Sequence, residues 1–225
     1  PENLNQVEPA RHRLAFDELL LLQLAALVHR HQWRSQQLTH PLAVDQEKVL
    51  QFLARLPFSL TASQSQAIKE ILKDLAQTVP MNRLLEGDVG SGKTIVAAVA
   101  TYVAHLNGYQ SLLLAPTQIL ATQHFQTLSS LFSALGIQVG LITANSKLEI
   151  RNSKFDIVVG THALLSAKLA MDRVGLVVID EQHRFGVAQR ALAASLGKSP
   201  HILTMTATPI PRTIALTMYG DLDLS

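Results

Sequence analysis

No cysteine occurs among the 225 residues. Disulfide frameworks, thiol catalysis and thiolate metal sites are thereby excluded. Charged residues are also sparse, at 16%, against 48% hydrophobic. A disordered chain needs the opposite balance, so this one can bury a sizeable core. Neither sign of charge dominates, since nineteen basic and seventeen acidic residues leave a formal +2. That permits a nucleic-acid partner without demanding one, because such affinity needs a clustered basic face. Aromatic residues reach only 5%, so any strand binding is expected to run through phosphates rather than stacked bases. Long apolar runs are missing too. The longest, Leu19 to Val28, is broken by Gln23 and is about half the roughly twenty residues that a membrane span requires. No small-residue cleavage site follows it, which argues against a secretory leader. A soluble, cytoplasmic protein with no membrane partner is expected. The chain opens at Pro1 rather than methionine and is expected to be a piece of something larger.

No glycine occurs before Gly87, and the texture before that point is helical. Apolar residues and helix formers crowd together from Leu14 to Trp33, which reads as core or interface. A second helical stretch, Asp45 to Leu56, places Val49, Leu50, Phe52, Leu53 and Leu56 at spacings of three and four. Pro57 ends it, since proline disfavours helix at the residue before it. A third helix is expected from Thr61 or Ala62 to about Ala76, with Ile68, Ile71, Leu72 and Leu75 as its buried stripe. After Met81 short apolar runs alternate with helical stretches. The runs are 83–86, 111–115, 138–143, 155–160, 176–179 and 201–205, and the helices 93–106, 118–135 and 187–196. Strands such as L-L-L-A and L-V-V-I are apolar on both faces, as in a parallel sheet covered by helices on both sides. The expected organisation is a helical segment (1–57) joined to one doubly wound α/β domain of nucleotide-binding type (58–225).

Gly87-Asp88-Val89-Gly90-Ser91-Gly92-Lys93-Thr94 fits G-x-x-x-x-G-K-[ST] in full. Its glycines permit a tight loop whose amide N–H groups face phosphate oxygens, and the next helix presents its positive end to the same anion. Lys93 can reach the β- and γ-phosphates, and Thr94 offers a hydroxyl to Mg²⁺. The apolar Leu84 and Leu85 before the loop and an amphipathic helix after it are the setting this motif requires.

Val177-Val178-Ile179 runs directly into Asp180-Glu181. A buried strand ending in two carboxylates places them at the carboxyl edge of the sheet, where open α/β folds bind ligands. Asp180 would hold Mg²⁺ through water, and Glu181 would orient or deprotonate the attacking water. Nine histidines raise the question of a metal, yet no pair has helical ligand spacing with a third ligand nearby, and no histidine metal site is expected.

Asp180-Glu181-Gln182-His183-Arg184-Phe185-Gly186-Val187 resembles the acidic box of superfamily 2 helicases, in the form typical of the RecG branch. Further strings follow in the family's order. Leu56 to Thr61 with Gln64 resembles the segment before the phosphate loop, including its glutamine motif. Ala115 to Ala121 is similar to motif Ia, Val159 to Leu165 to motif Ib, and Met205 to Thr213 to motif III with a P-I-P-R-T tail. The resemblance covers about residues 10 to 225. It departs at Gln118 and Thr122, where acidic residues are usual.

The resemblance implies an ATP-dependent DNA helicase or translocase, with ATP and Mg²⁺ as cofactors and branched DNA as substrate. Gln64 would read the adenine edge and Phe58 would touch the base. Pro116 and Thr117, and separately Thr161 and His162, would lie along the nucleic-acid strand, with Thr206 and Thr208 linking it to the nucleotide. Read without the family, Thr117, Thr161 and Thr206 are ordinary strand-end or helix-capping threonines. The resemblance also implies a wedge domain before this segment and a second motor domain after it, which supplies an arginine to the transferring phosphate. Two rival readings stand beside it. A transcription-repair coupling translocase shares several strings, but usually has D-E-E-H where Gln182 stands and a phenylalanine where Ser91 stands. A non-catalytic ATP-binding switch would have no use for Glu181.

Overall fold

The computed structural model describes residues 7–36, 40–143, 155–161, 164, 173–180, 200–207 and 223–225. The expected helix at 187–196, together with Glu181, His162 and Thr208, lies outside the described residues. The chain forms two compact units, one of Pro1–Gln37 with Ile210–Asp223 and the other of Leu38–Pro209 with Leu224–Ser225.

In the first unit, helix α1 (Val7–Gln36) runs for 30 residues. Its apolar residues are not confined to one stripe. Leu14, Phe16, Leu19 to Leu22, Leu24, Leu27 and Val28 point in every direction around the axis and are all exposed. The core role that this leucine-rich run suggests is therefore not what the structure shows for them, and an interface role is left.

The sheet, which apart from Asp223 belongs to the second unit, has strands β1 (Asn82–Glu86), β2 (Gln110–Leu114), β3 (Val139–Ile142), β4 (Ile157–Gly160), β5 (Val174–Asp180), β6 (His201–Thr206) and β7 (Asp223–Leu224), in the order β3-β4-β2-β5-β6-β1-β7. The pairings from β3 through to β1 are all parallel. Strands β4, β5 and β6 are buried along their whole length, as two-sided apolar runs require. This is the doubly wound α/β architecture that the alternating texture predicts.

Helices α2 (Gln46–Leu53), α3 (Ala62–Leu75), α4 (Lys93–Leu106) and α5 (Gln118–Phe132) flank it. Helix α4 is buried continuously from Val96 to Ala104 because it lies between β2 and β5 on one side and α2 and α3 on the other. The alanines at 97, 98, 100 and 104, all fully buried, are small enough to admit that close approach. Phe52 of α2, Tyr102 of α4 and Phe132 of α5 stack with centroids 4.8 to 6.4 Å apart. Helix α2 thus packs with the sheet, although its composition groups it with the segment before it. Leu50, one of its apolar residues, is 65% exposed.

Candidate functional site

Parallel strands align their carboxyl ends, so whatever follows each strand lies along one edge. Following the sheet order, that edge carries Thr161 after β4, Pro116 and Thr117 after β2, Asp180 closing β5, Thr206 closing β6, and the glycine-rich loop after β1. At about 4.8 Å per strand, Thr117 and the loop are three spacings, or about 14 Å, apart.

The loop owes its path to glycine at two points. Gly90 and Gly92 have φ of 81° and 82°, a left-handed region that other residues avoid. At Gly92 there is a second reason, because a Cβ there would come within 2.5 Å of the Gln64 amide nitrogen. Gly92 is also the N-cap of α4 and supplies no side-chain cap. The first amide N–H groups of α4 therefore keep their capacity for an anion. Lys93 reaches back across the loop, its Nζ donating to the carbonyls of Gly87 (2.5 Å) and Asp88 (2.8 Å). Two of its three protons are used, and the third is available to a phosphate. Ser91, Thr94 and the exposed Val89 complete the stretch. Glycine-built curvature, uncapped amides and an ammonium at the mouth suit a nucleotide polyphosphate.

Gln64 sits at the third position of α3 and closes a capping box. Its N–H donates to Thr61 Oγ1 (3.2 Å), and its Oε1 accepts from the Thr61 N–H (2.9 Å). Its Nε2 donates to the Ser91 carbonyl (2.7 Å), tying α3 to the loop. One acceptor site and one N–H remain on this amide. That pair is the complement of the adenine edge, which offers an amino donor and a ring acceptor. Beside it opens a groove of about 610 Å³ lined by Leu53, Leu56, Pro57, Phe58, Leu60 and Ser65, and Phe58 is 46% exposed.

Behind the loop, Arg83 of β1 binds Glu70 (3.0 Å) and Asp74 (2.8 Å) of α3. Ser225 bonds both Arg83 and Glu70. The Ser225 hydroxyl, the Gln66 amide and Arg83 hold the Glu70 carboxyl below the usual range, against the opposing effect of burial. The strand that enters the loop and the helix that carries Gln64 are thereby fixed to one another.

Asp180 and Thr206 are both buried. The Thr206 carbonyl accepts from the Gly87 N–H at 3.2 Å, so the end of β6 and the loop share a main-chain bond. The Asp180 Oδ2 lies 2.7 Å from Nε2 of His124 in α5. Sequence reasoning missed His124. Its signal was a histidine within the buried stripe Ala121, His124, Leu128 and Phe132. Farther along the edge, Thr117 is exposed and caps α5 by accepting from the Leu120 N–H at 3.2 Å. The Thr161 carbonyl accepts from the Leu164 N–H at 2.9 Å. Thr122 spends its hydroxyl on the Gln118 carbonyl (2.9 Å), and Gln118 is exposed, so neither departure touches the phosphate loop's bonds. Among the described residues, no group of three or more histidines and carboxylates is arranged for a metal ion, and no helix is long and apolar enough to cross a membrane.

The family model for the DEAD/DEAH box helicase matches residues 61–217. The chain belongs to the DEAD/DEAH box helicase family. Within it, the chain is 47% identical to the ATP-dependent DNA helicase RecG of Synechocystis, over all of this chain and 28% of that protein. It is 44% identical to RecG of Bacillus subtilis, over all of this chain and 34% of that protein. The chain thus spans about a third of the length of the curated relatives it matches. A solved RecG bound to a three-way DNA junction superposes with a TM-score of 0.86 at 41% identity, covering all of this chain and 31% of that one. The UvsW helicase of bacteriophage T4 shares the fold, with a TM-score of 0.62 at 18% identity over 84% of this chain and 69% of its own.

Proposed function

We propose that this DEAD/DEAH box chain is the ATP-binding half of a DNA helicase or translocase motor, and that the protein carrying it works on branched DNA in repair and recombination. The observation that carries the reading is the shared carboxyl edge. A complete phosphate loop stands about 14 Å from Thr117, with β6 and β5, which ends in Asp180, between them. The identity to RecG proteins, one of them solved on a three-way junction, supports branched DNA over other substrates. It also favours this reading over a transcription-repair coupling translocase. The reading includes Glu181 as the general base, and that role favours it over a non-catalytic switch.

In this reading ATP lies along the loop, with Gln64 on the adenine edge and Phe58 against the base. The loop of Gly87 to Thr94 holds the phosphates, through the amides that open α4 and the Lys93 ammonium. Thr94 and Asp180 would hold Mg²⁺, which would supply charge neutralisation at the phosphates. Glu181 receives the proton of the attacking water. Pro116, Thr117, Thr161 and His162 lie along the strand, and Thr206 and Thr208 join it to the nucleotide. Residues 58–225 act as the first motor domain and residues 1–57 as the segment joining it to a wedge domain, with a second motor domain as the catalytic partner, in the cytoplasm.

The test is ATP turnover by the whole protein with and without forked DNA. Stimulation by forked DNA beyond that given by linear duplex is expected. Turnover indifferent to any DNA would refute the motor reading, and equal stimulation by linear duplex would refute the branched substrate.

A further inference from the structure

We propose that His124 is a positioning residue for the Asp180 carboxylate, and that through α5 it carries strand occupancy at Pro116 and Thr117 to the magnesium side of the nucleotide site. The inference rests on the motor reading above.

The contact itself is short and largely buried. Nε2 and Oδ2 are 2.7 Å apart, and the two side chains are only 11% and 12% exposed. A carboxylate only accepts, so the imidazole N–H donates, and a bond of this kind to an ionised group is among the stronger ones. With Oδ2 held by His124, Oδ1 is the oxygen left for a cation. A carboxylate pinned through one oxygen cannot swing, so its other oxygen keeps a fixed bearing toward whatever the loop binds. Partners of this sort behind a metal-binding carboxylate typically change metal affinity or activity by about 10–100-fold when lost.

The placement of His124 on α5 gives the bond a second consequence. Thr117 caps the helix, and His124 follows seven residues later, two turns and about 10 Å along the axis. Seven residues also return the side chain to nearly the same side of the helix. Helix α5 rests on β3 and β4, while His124 reaches over to the end of β5. A shift of the capped end by a bound strand therefore moves the imidazole against Asp180. A histidine kept only for packing would satisfy its ring on the main chain. His201 does so, with bonds to the Met81 N–H and the His40 carbonyl. His124 is bonded to the acidic side chain of the site instead.

The experiment uses the whole protein as parent, H124F, which fills the space without a donor, and H124Q, which returns an N–H at similar reach. Affinity for a fluorescent ATP analogue is titrated against Mg²⁺ and again in EDTA, and turnover is measured with and without forked DNA. For H124F, the Mg²⁺ needed for half-maximal affinity is expected to rise by about 10-fold or more. Its affinity in EDTA should move by less than about twofold, since the bond acts on the cation side. Its stimulation by forked DNA should drop by about fivefold or more, and H124Q should recover both properties. Should H124F not fold, H124N, one methylene shorter than H124Q, makes the same comparison. The inference is overturned if H124F keeps the parent's Mg²⁺ requirement and stimulation, or if its affinity falls equally in Mg²⁺ and EDTA. A parent that shows no DNA stimulation would instead sink the motor reading, and this inference with it.

Discussion

At the amino end of β6, His201 is wholly buried, its Nδ1 accepting from the Met81 N–H (3.0 Å) and its Nε2 directed at the His40 carbonyl (3.4 Å). Both ring nitrogens are committed to main chain. At the carboxyl end of the same sheet, Gln64 and Lys93 are bonded too, but each keeps donor or acceptor capacity beyond its present partners. Asp180 likewise spends one oxygen on His124 and has another. Fully committed polar groups hold a structure together. Groups with capacity to spare, gathered at one edge, await a ligand. The two ends of the strands should accordingly respond to different perturbations.

The largest effect is expected at the loop. Lys93→Ala should abolish saturable ATP binding in calorimetry, since the ammonium answers the β- and γ-phosphates, while the melting temperature stays near that of the parent. Unchanged ATP affinity would place the nucleotide elsewhere. At the opposite end, burial pushes His201 down from 6.5 to about 4, with the His40 carbonyl opposing. Between those values the unfolded chain holds a proton that the folded chain does not, so stability is complete above pH 6.5 and falls as pH drops toward 4. Across the whole window the loss amounts to on the order of 3 kcal/mol. Melts recorded from pH 7.5 to 4.5 should show this limb, and His201→Gln should flatten it without moving ATP affinity at pH 7.5. A nucleotide defect in that variant would break the division between the two ends.

Two smaller effects sharpen it. Gln64→Ala removes the side-chain half of the capping box, the bond to the Thr61 N–H, a loss of about 1 kcal/mol, and should also weaken discrimination of ATP over GTP more than binding of inorganic triphosphate. Equal losses for all three ligands would deny the adenine contact. Thr117→Ala also removes a cap, again about 1 kcal/mol. Its signature should be weaker binding of DNA with nucleotide affinity preserved, read by fluorescence anisotropy at fixed salt.

How far these roles were legible depended on how unusual their chemistry is. Gly87 to Thr94 declared itself because few loops need left-handed glycines, a lysine and a hydroxyl together, and the start of α4 at Lys93 followed from it. The run Val177–Ile179 gave away β5, since a strand buried on both faces must be apolar throughout. Thr117 and Thr161 needed the family resemblance, because a threonine at a strand end looks the same whether it caps a helix or meets a phosphate. His124 was missed since its partner is 56 residues away, and helical periodicity reports a face without naming what that face meets. Helix α2 was grouped with the first helix on composition, whereas the stack of Phe52 with Tyr102 and Phe132 is a tertiary fact. Strand β7 is two residues long, too short to carry any alternation.

As proposed above, this chain is the ATP-binding half of a two-part motor. The most direct test of that proposal sets an isolated polypeptide of residues 1–225 beside the whole protein, in ATP binding, steady-state turnover and fork unwinding. The account predicts that the polypeptide binds Mg-ATP, unwinds nothing, and turns over about 10³-fold or more slowly even with forked DNA, for want of an arginine from a second domain. Turnover comparable to that of the whole protein and stimulated by forked DNA would contradict it.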